Sequence, residues 1–319
     1  MMVRYHHFCF LAWACAAELK FVRWFELSCA RCGSSFFNEM VSSHPCVFSV
    51  GEKIPILAAQ RWLQTRRKTA EPTPEDLRAA QDMAFAQIEK EVRELNDREV
   101  SRGHGERFPG CPYVMVGGKL PYERLRAGGR PGAGPARVVF NLRTNSLDRV
   151  LSRFAPALYG SEHGCTAAGY DHCMKSTHAT VDVAWLVAQM RENEDTLAMV
   201  RDEVLETAKR VGAPLLAVRY EDLLRDADAV FQAYVLPFLG LDAAPLRPVQ
   251  GHVQAKPSEG HVKRTGNLTH ADMIDNWADV AAAAAAAGLE DALVDEAFRD
   301  ATGEVLVVNP PPGYKARGR

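Results

Sequence analysis

The apolar run Phe21–Leu27 stops at Ser28–Ser35, a stretch of small residues, and Phe36, Phe37, Met40 and Val41 then resume at helical spacing as far as Ser42. Aromatic and β-branched side chains in so short a run predict a buried strand, and spacing near 3.6 predicts a helix. The chain order is therefore strand, tight turn, helix, with His44-Pro45 stopping the helix. A buried strand that feeds straight into a helix belongs to a parallel sheet covered by helices, and this constrains the fold more than any other feature of the chain.

The rest of the sequence repeats the alternation. Thr73-Pro74-Glu75-Asp76 supplies a cap residue, a proline at the first helical position and acids in the first turn. Leu77, Ala84, Ile88, Val92 and Leu95 then line one face of the helix that follows. Tyr113–Lys119, Val138–Leu142 and Pro214–Tyr220 read as three more short strands, and residues 127–136 as a Gly/Pro loop. Leu147–Phe154 begins a helix, Val181–Val211 is one long helix or a broken pair, and Ala281–Ala287 favours helix by propensity. Residues 155–179 read as irregular, and the proline- and base-rich chain from Asn309 as a disordered tail, 309–319. The expectation is one α/β domain over 21–308, with 54–107 a helical insertion placed to act as a lid, although packing is the first role of its apolar stripe. Residues 1–20 stand apart. Phe8–Ala17 is apolar but shorter than the about 20 residues of a membrane span. It reads either as a targeting segment, with Ala14-Cys15-Ala16 as a small-x-small site, or as a short buried segment.

Charge narrows the function. Lys and Arg number 38 against 40 Asp and Glu, for a formal net charge of −2. That balance argues against a partner held by bulk positive charge, nucleic acid above all, and leaves a local anion site open. The eight cysteines show no regular framework. Cys29 and Cys32 form a C-x-x-C with no second pair to complete a zinc ribbon. Cys165 and Cys173, beside His163 and His172, read as thiols and surface histidines, with a loop disulfide or metal clip as the alternative.

The turn Cys29–Phe37 is the sharpest candidate site. A strand that turns directly into a helix aims several backbone N–H groups, and the helix dipole, at one spot. Gly33 permits close approach or positive φ, Ser34 and Ser35 add hydroxyls, and Arg31 adds charge. The turn is not G-x-x-x-x-G-K-[ST], so nucleoside triphosphatase chemistry is not indicated.

Arg31-Cys32-Gly33-Ser34-Ser35-Phe36-Phe37, followed by Ser43-His44-Pro45, resembles the 5′-phosphosulfate loop of sulfotransferases, most of all carbohydrate sulfotransferases and the bacterial trehalose-type enzymes. Cys32 stands where that loop has Ser or Thr. Val138–Arg143 with Arg149–Arg153 resembles the 3′-phosphate motif, whose phosphate ligands would here be Arg143 and Ser152, one residue further apart than in many members. Arg219–Leu224 with Phe238–Leu241 resembles the R-Y-E-D-L and F-L-G-L segments, and Lys263–Asn267 with Ile274–Trp277 the late nucleotide loop, Arg264, Thr265 and Gly266 included. The resemblance implies a three-layer, P-loop-like α/β fold with a short, mainly parallel sheet flanked by helices. It also implies 3′-phosphoadenosine 5′-phosphosulfate (PAPS) as co-substrate without a metal, and a hydroxyl acceptor such as a glycan or glycolipid. The compartment it leaves open is the cytoplasm or the Golgi lumen or membrane.

Sulfuryl transfer needs positioning, a sink for charge on the leaving phosphate, and a base for the hydroxyl proton. Arg31, the loop amides and Ser34 would supply the sink. The resemblance points to Glu52, soon after His44-Pro45, as base, and to Lys119 as a strand-end lysine facing the sulfonate. His163 and His178 rank below Glu52 as bases because neither lies in a matching motif. Tyr220-Glu221-Asp222 reads as structural, the acids capping a helix, and Trp277 as core rather than an adenine contact. Asn267-Leu268-Thr269 is a glycosylation sequon inside the expected nucleotide loop and is expected to be unmodified. The alternatives to catalysis are a non-catalytic module that binds PAPS or its product, and a P-loop phosphotransferase.

Overall fold

The computed structural model describes residues 19–28, 32–51, 74–122, 136–159, 178–246, 269–294 and 305–316. Among them lies a six-stranded sheet: β1 (Phe21–Ser28), β2 (Val47–Ser49), β3 (Val114–Pro121), β4 (Arg137–Leu142), β5 (Leu215–Arg219) and β6 (Leu306–Val308), in the order β2-β3-β1-β4-β5-β6. The first five are parallel, and β6 closes one edge antiparallel to β5. The helices are α1 (Ser34–Ser42), α2 (Pro74–Ser101), α3 (Ser146–Tyr159), α4 (Val183–Val211), α5 (Tyr220–Val230), α6 (Leu236–Leu239), α7 (His270–Met273) and α8 (Trp277–Ala286).

Strand alternation builds three layers. Phe25 and Leu27 of β1, Val116 of β3 and Phe140 of β4 face Ala84, Phe85, Ile88 and Val92 of α2 and Val200 and Val204 of α4. Trp24, Met115, Val139 and Leu216 point the other way, onto Phe37, Met40 and Val41 of α1 and the Phe231–Leu239 segment. The α/β architecture with a mainly parallel sheet is therefore as the sequence implied. A third cluster, Leu147, Val150, Leu186, Met190, Ile274 and Val280, ties α3 and α4 to α7 and α8.

The stripe on α2 is packing. Ala84, Ile88 and Val92 are fully buried, and Arg23 of β1 binds Asp82 at 2.7 Å and Glu89 at 2.8 Å. The apolar stripe of residues 74–101 is thus a layer of the core. The expectation of a tail disordered from Asn309 does not hold for 309–316. Asn309 Nδ2 donates to the Ala208 and Ala213 carbonyls, Pro311 is buried, and Tyr314 stacks edge-on against Phe238. Ordering comes from these contacts with α4 and α6, which composition does not reveal. Residues 1–18, including Phe8–Ala17, lie outside the described residues. No helix among the described residues is long and apolar enough to cross a membrane.

One covalent link was not foreseen. Cys46, in the turn after α1, forms a disulfide with Cys111, just before β3. Cys29, Cys165 and Cys173 lie outside the described residues.

Candidate anion site at the strand ends

The C-terminal ends of β1, β3, β4 and β5 carry the candidate residues, as expected for a ligand site in an open parallel sheet. Gly33 stands between β1 and α1 with φ 70° and ψ 21°, a left-handed conformation that glycine adopts without strain. It is the N-cap of α1 and gives no side-chain cap, so Ser34, Ser35 and Phe36 direct first-turn N–H groups outward from the helix end. The first turn of α1 holds no acid. Cys32, just before Gly33, is fully buried.

Two neighbours complete the turn. Lys119, at the end of β3, donates from Nζ to Ser35 Oγ at 3.0 Å, bringing a cation to the same helix end. Tyr220, the first residue of α5, lies against Gly33 so closely that an added Cβ would collide with its ring. The Arg143 guanidinium lies over that ring, 5.1 Å from its centroid. The ring thus stands between the anion loop and the cation expected to take the 3′-phosphate.

Arg143 follows β4, is 8% exposed, and lies 3.6 Å from Asp148 in the first turns of α3. Asp148 also meets His270 Nε2 at 3.2 Å, and the His270 ring stacks on Trp277. Ser152 is one turn beyond Asp148 on the same face of α3 and is half-buried. Glu221 does not cap its own helix. Its Oε1 accepts from Thr144 N at 2.6 Å, Thr144 Oγ1 at 3.0 Å and Asn145 N at 2.8 Å, and so holds the turn that carries Arg143. Asp222 takes the fork of Arg219 at 2.9 and 3.0 Å. Tyr220-Glu221-Asp222 is thus structural in its contacts, with Glu221 bound across to the turn after β4 and Asp222 to Arg219 at the end of β5.

The two glycines before Lys119 have a local reason. A Cβ on Gly117 would strike Trp24, and one on Gly118 the Gly51 carbonyl. That closeness lets Val50 N donate to Gly117 O at 2.9 Å and Lys119 N to Gly51 O at 2.8 Å. The turn after β2 is thereby laced to the lysine strand, and Glu52 is the next residue. His44 Nδ1 accepts from Cys46 N at 3.1 Å while Nε2 meets Asp242 O at 3.2 Å, which is the neutral tautomer's pattern. Burial pushes its pKa down, so His44 is a structural pin of the turn and not a cation for the site.

Arg31, Glu52, Arg264, Thr265, Gly266 and His163 lie outside the described residues. His178 is exposed and 4.0 Å from Asp275, on the α7 side of the molecule. Trp277 packs with the α3–α8 cluster, as a core residue does. Thr269, the last residue of the sequon, is engaged in a capping box with Asp272.

Two site residues escaped the sequence reading. Glu26 of β1 and Asn141 of β4 are fully buried on the α1 face of the sheet, and Asn141 Nδ2 donates to Glu26 Oε1 at 3.1 Å. Glu26 is in register with Lys119 on the neighbouring strand. Burial pushes the Glu26 carboxyl up to about 8, against the pull of Asn141 and Lys119. Their signal was present: a polar residue at a period-2 core position of an apolar strand.

No protein-family model and no curated protein matches the chain. Among solved structures it is similar to the sulfotransferase domain from the curacin biosynthetic pathway, at 16% identity over 77% of this chain and 82% of that one, TM-score 0.37. It is also similar to the sulfotransferase domain of the Synechococcus PCC 7002 olefin synthase, at 16% identity over 85% and 95%, TM-score 0.34. A sulfotransferase from Alicyclobacillus acidocaldarius matches at 15% identity over 87% and 96%, TM-score 0.35.

Proposed function

We propose that the chain is a sulfotransferase that moves a sulfuryl group from PAPS to a hydroxyl, with a carbohydrate as acceptor. The observation that carries this reading is the Gly33 turn opening α1, with Lys119 Nζ on Ser35 Oγ and Arg143 across the Tyr220 ring. The turn and the lysine suit a 5′-phosphosulfate, and the buried guanidinium suits a second phosphate a short distance away. The motif resemblance assigns the same residues the same ligands.

In the reaction the acceptor oxygen forms a bond to sulfur as the bond from sulfur to the phosphate oxygen breaks. The first-turn amides of α1 and Ser34 hold the leaving phosphate, whose negative charge grows as that bond breaks, and Lys119 faces the sulfonate in transit. Preorganised donors of this kind act on the transition state more than on the ground state. By the same resemblance Arg31 adds to that field, and Arg264, Thr265 and Gly266 belong to the nucleotide loop. Arg143, braced by Asp148, and Ser152 on the same helix face take the 3′-phosphate. Glu52 accepts the hydroxyl proton. The Cys46–Cys111 disulfide favours an oxidising compartment, which of the two alternatives is the Golgi lumen.

The test is transfer of labelled sulfate from PAPS to a panel of glycans by the wild-type chain and by Glu52→Gln. Transfer that Glu52→Gln loses while still binding adenosine 3′,5′-bisphosphate supports the reading. Nucleotide binding without transfer to any acceptor would make the chain a non-catalytic module. Stabilisation by ATP with Mg²⁺ but not by PAPS would indicate a phosphotransferase.

A further inference from the structure

Glu26 has no part in the chemistry above, yet it is the one acid set into the apolar face beneath the anion loop among the described residues. It is fully buried, and its second carboxylate oxygen, Oε2, has no hydrogen-bond partner; the same is true of Asn141 Oδ1 beside it. A buried carboxylate with a bare oxygen is costly, and such a group gains by holding its proton. Its position is specific. Trp24 and Glu26 share a face of β1, and on that face β3 presents Lys119, β4 presents Asn141, and the turn before α1 presents Cys32. Among the described residues the titratable groups that reach Glu26 are the Lys119 ammonium and the Cys32 thiol; Asn141 is neutral, α1 contributes the Ser35 hydroxyl that Lys119 holds, and the Tyr220 ring separates Arg143 from the loop.

We propose that Glu26 is a positioning residue that sets the charge beneath the anion loop: neutral, it leaves the Lys119 ammonium directed at Ser35 and the loop, and ionised, it competes for that ammonium and weakens the hold on any anion there. The inference rests on the anion-loop part of the proposed function and needs neither the nucleotide nor the acceptor. The elevated Glu26 pKa places the change at about 8, within reach of solution measurement. A bound dianion favours the neutral form of Glu26, so by linkage affinity is highest below that pH and falls above it.

The experiment measures dissociation constants for sulfate and for adenosine 3′,5′-bisphosphate between about pH 7 and about pH 10, across which sulfate stays a dianion and the bisphosphate gains only the last fraction of its charge, at the low end. The wild-type chain, Glu26→Gln and Cys32→Ser are compared. Wild-type affinity is expected to fall about tenfold, the equivalent of one unit of mutual pKa shift, and Glu26→Gln to remain flat. Gln matches the volume of Glu and can satisfy Asn141 Oδ1. Should Glu26→Gln nevertheless not fold, infrared spectra of the wild-type chain give the answer: a protonated carboxyl band must fade in step with the affinity. An equal fall in Glu26→Gln, a flat wild-type profile, a carboxyl band that does not titrate, or a fall abolished only by Cys32→Ser would each overturn the inference. Sulfate that follows the expected profile while the nucleotide does not bind would uphold the inference and end the PAPS reading.

Discussion

Lys119 and Ser35 lie 84 residues apart in sequence and meet at 3.0 Å, the lysine donating to the serine at the first turn of α1. The contact joins the end of β3 to the helix that follows β1, and it brings an ammonium to a place where backbone amides already converge. Lys119→Met should therefore lower turnover by roughly 10²–10³, as removal of a preorganised donor does, with a smaller change in donor KM. Steady-state kinetics separates the two effects, and a KM change with full kcat would reassign Lys119 to ground-state binding.

Gly33 has no substitute in its setting. Alanine there meets both a positive φ and the Tyr220 ring. Gly33→Ala is expected to cost more than about 1 kcal/mol of stability and most of the affinity for adenosine 3′,5′-bisphosphate. Denaturant melts and calorimetry read the two losses. Full nucleotide affinity in a folded Gly33→Ala would remove this turn from the site.

Arg143 is expected to distinguish nucleotides by the 3′-phosphate. The wild-type chain should prefer adenosine 3′,5′-bisphosphate to adenosine 5′-monophosphate, and Arg143→Ala should shrink that preference about tenfold to a hundredfold, the scale of a charge-assisted hydrogen bond. Equal losses for both nucleotides would place Arg143 elsewhere on the ligand.

Glu26 also leaves a mark on stability. Its folded pKa, about 8, is above its ordinary value of 4.5. The folded state therefore binds this proton more tightly than the unfolded state. The contribution is full below about pH 4.5, is lost progressively as pH rises to about 8, and stays lost beyond. Glu26→Gln has no such proton to lose. Its melting temperature should gain on the wild type across that window and hold a constant lead above it. A constant difference over the whole window would contradict the buried, raised carboxyl.

The Cys46–Cys111 bond joins residues with a sequence separation of 65. Cys46→Ser should cost roughly 2–4 kcal/mol in denaturant melts, and reductant should destabilise the wild type equally while leaving the variant unchanged.

Much of the sheet was legible because β1, β3, β4 and β5 are apolar runs bounded by turn residues. The strands β2 and β6, at three residues each, are too short to show alternation and exist through their neighbours. Residues 309–316 were misread because prolines and basic side chains suggest disorder, while the Asn309 and Tyr314 contacts come from distant helices. In the site, the strand-turn-helix at Gly33 was readable from local chemistry, whereas Lys119 and Arg143 drew attention only through the motif resemblance. The Tyr220 ring between Gly33 and Arg143, the Cys46 pairing and the burial of Glu26 against Asn141 are long-range facts, which no local window of sequence contains.

The most direct test is calorimetric titration of the wild-type chain with adenosine 3′,5′-bisphosphate, in parallel with ATP and Mg²⁺. The account predicts saturable one-to-one binding of the bisphosphate, at least about tenfold tighter than ATP and lost in Gly33→Ala. No binding of the bisphosphate, or tighter binding of ATP, would contradict it.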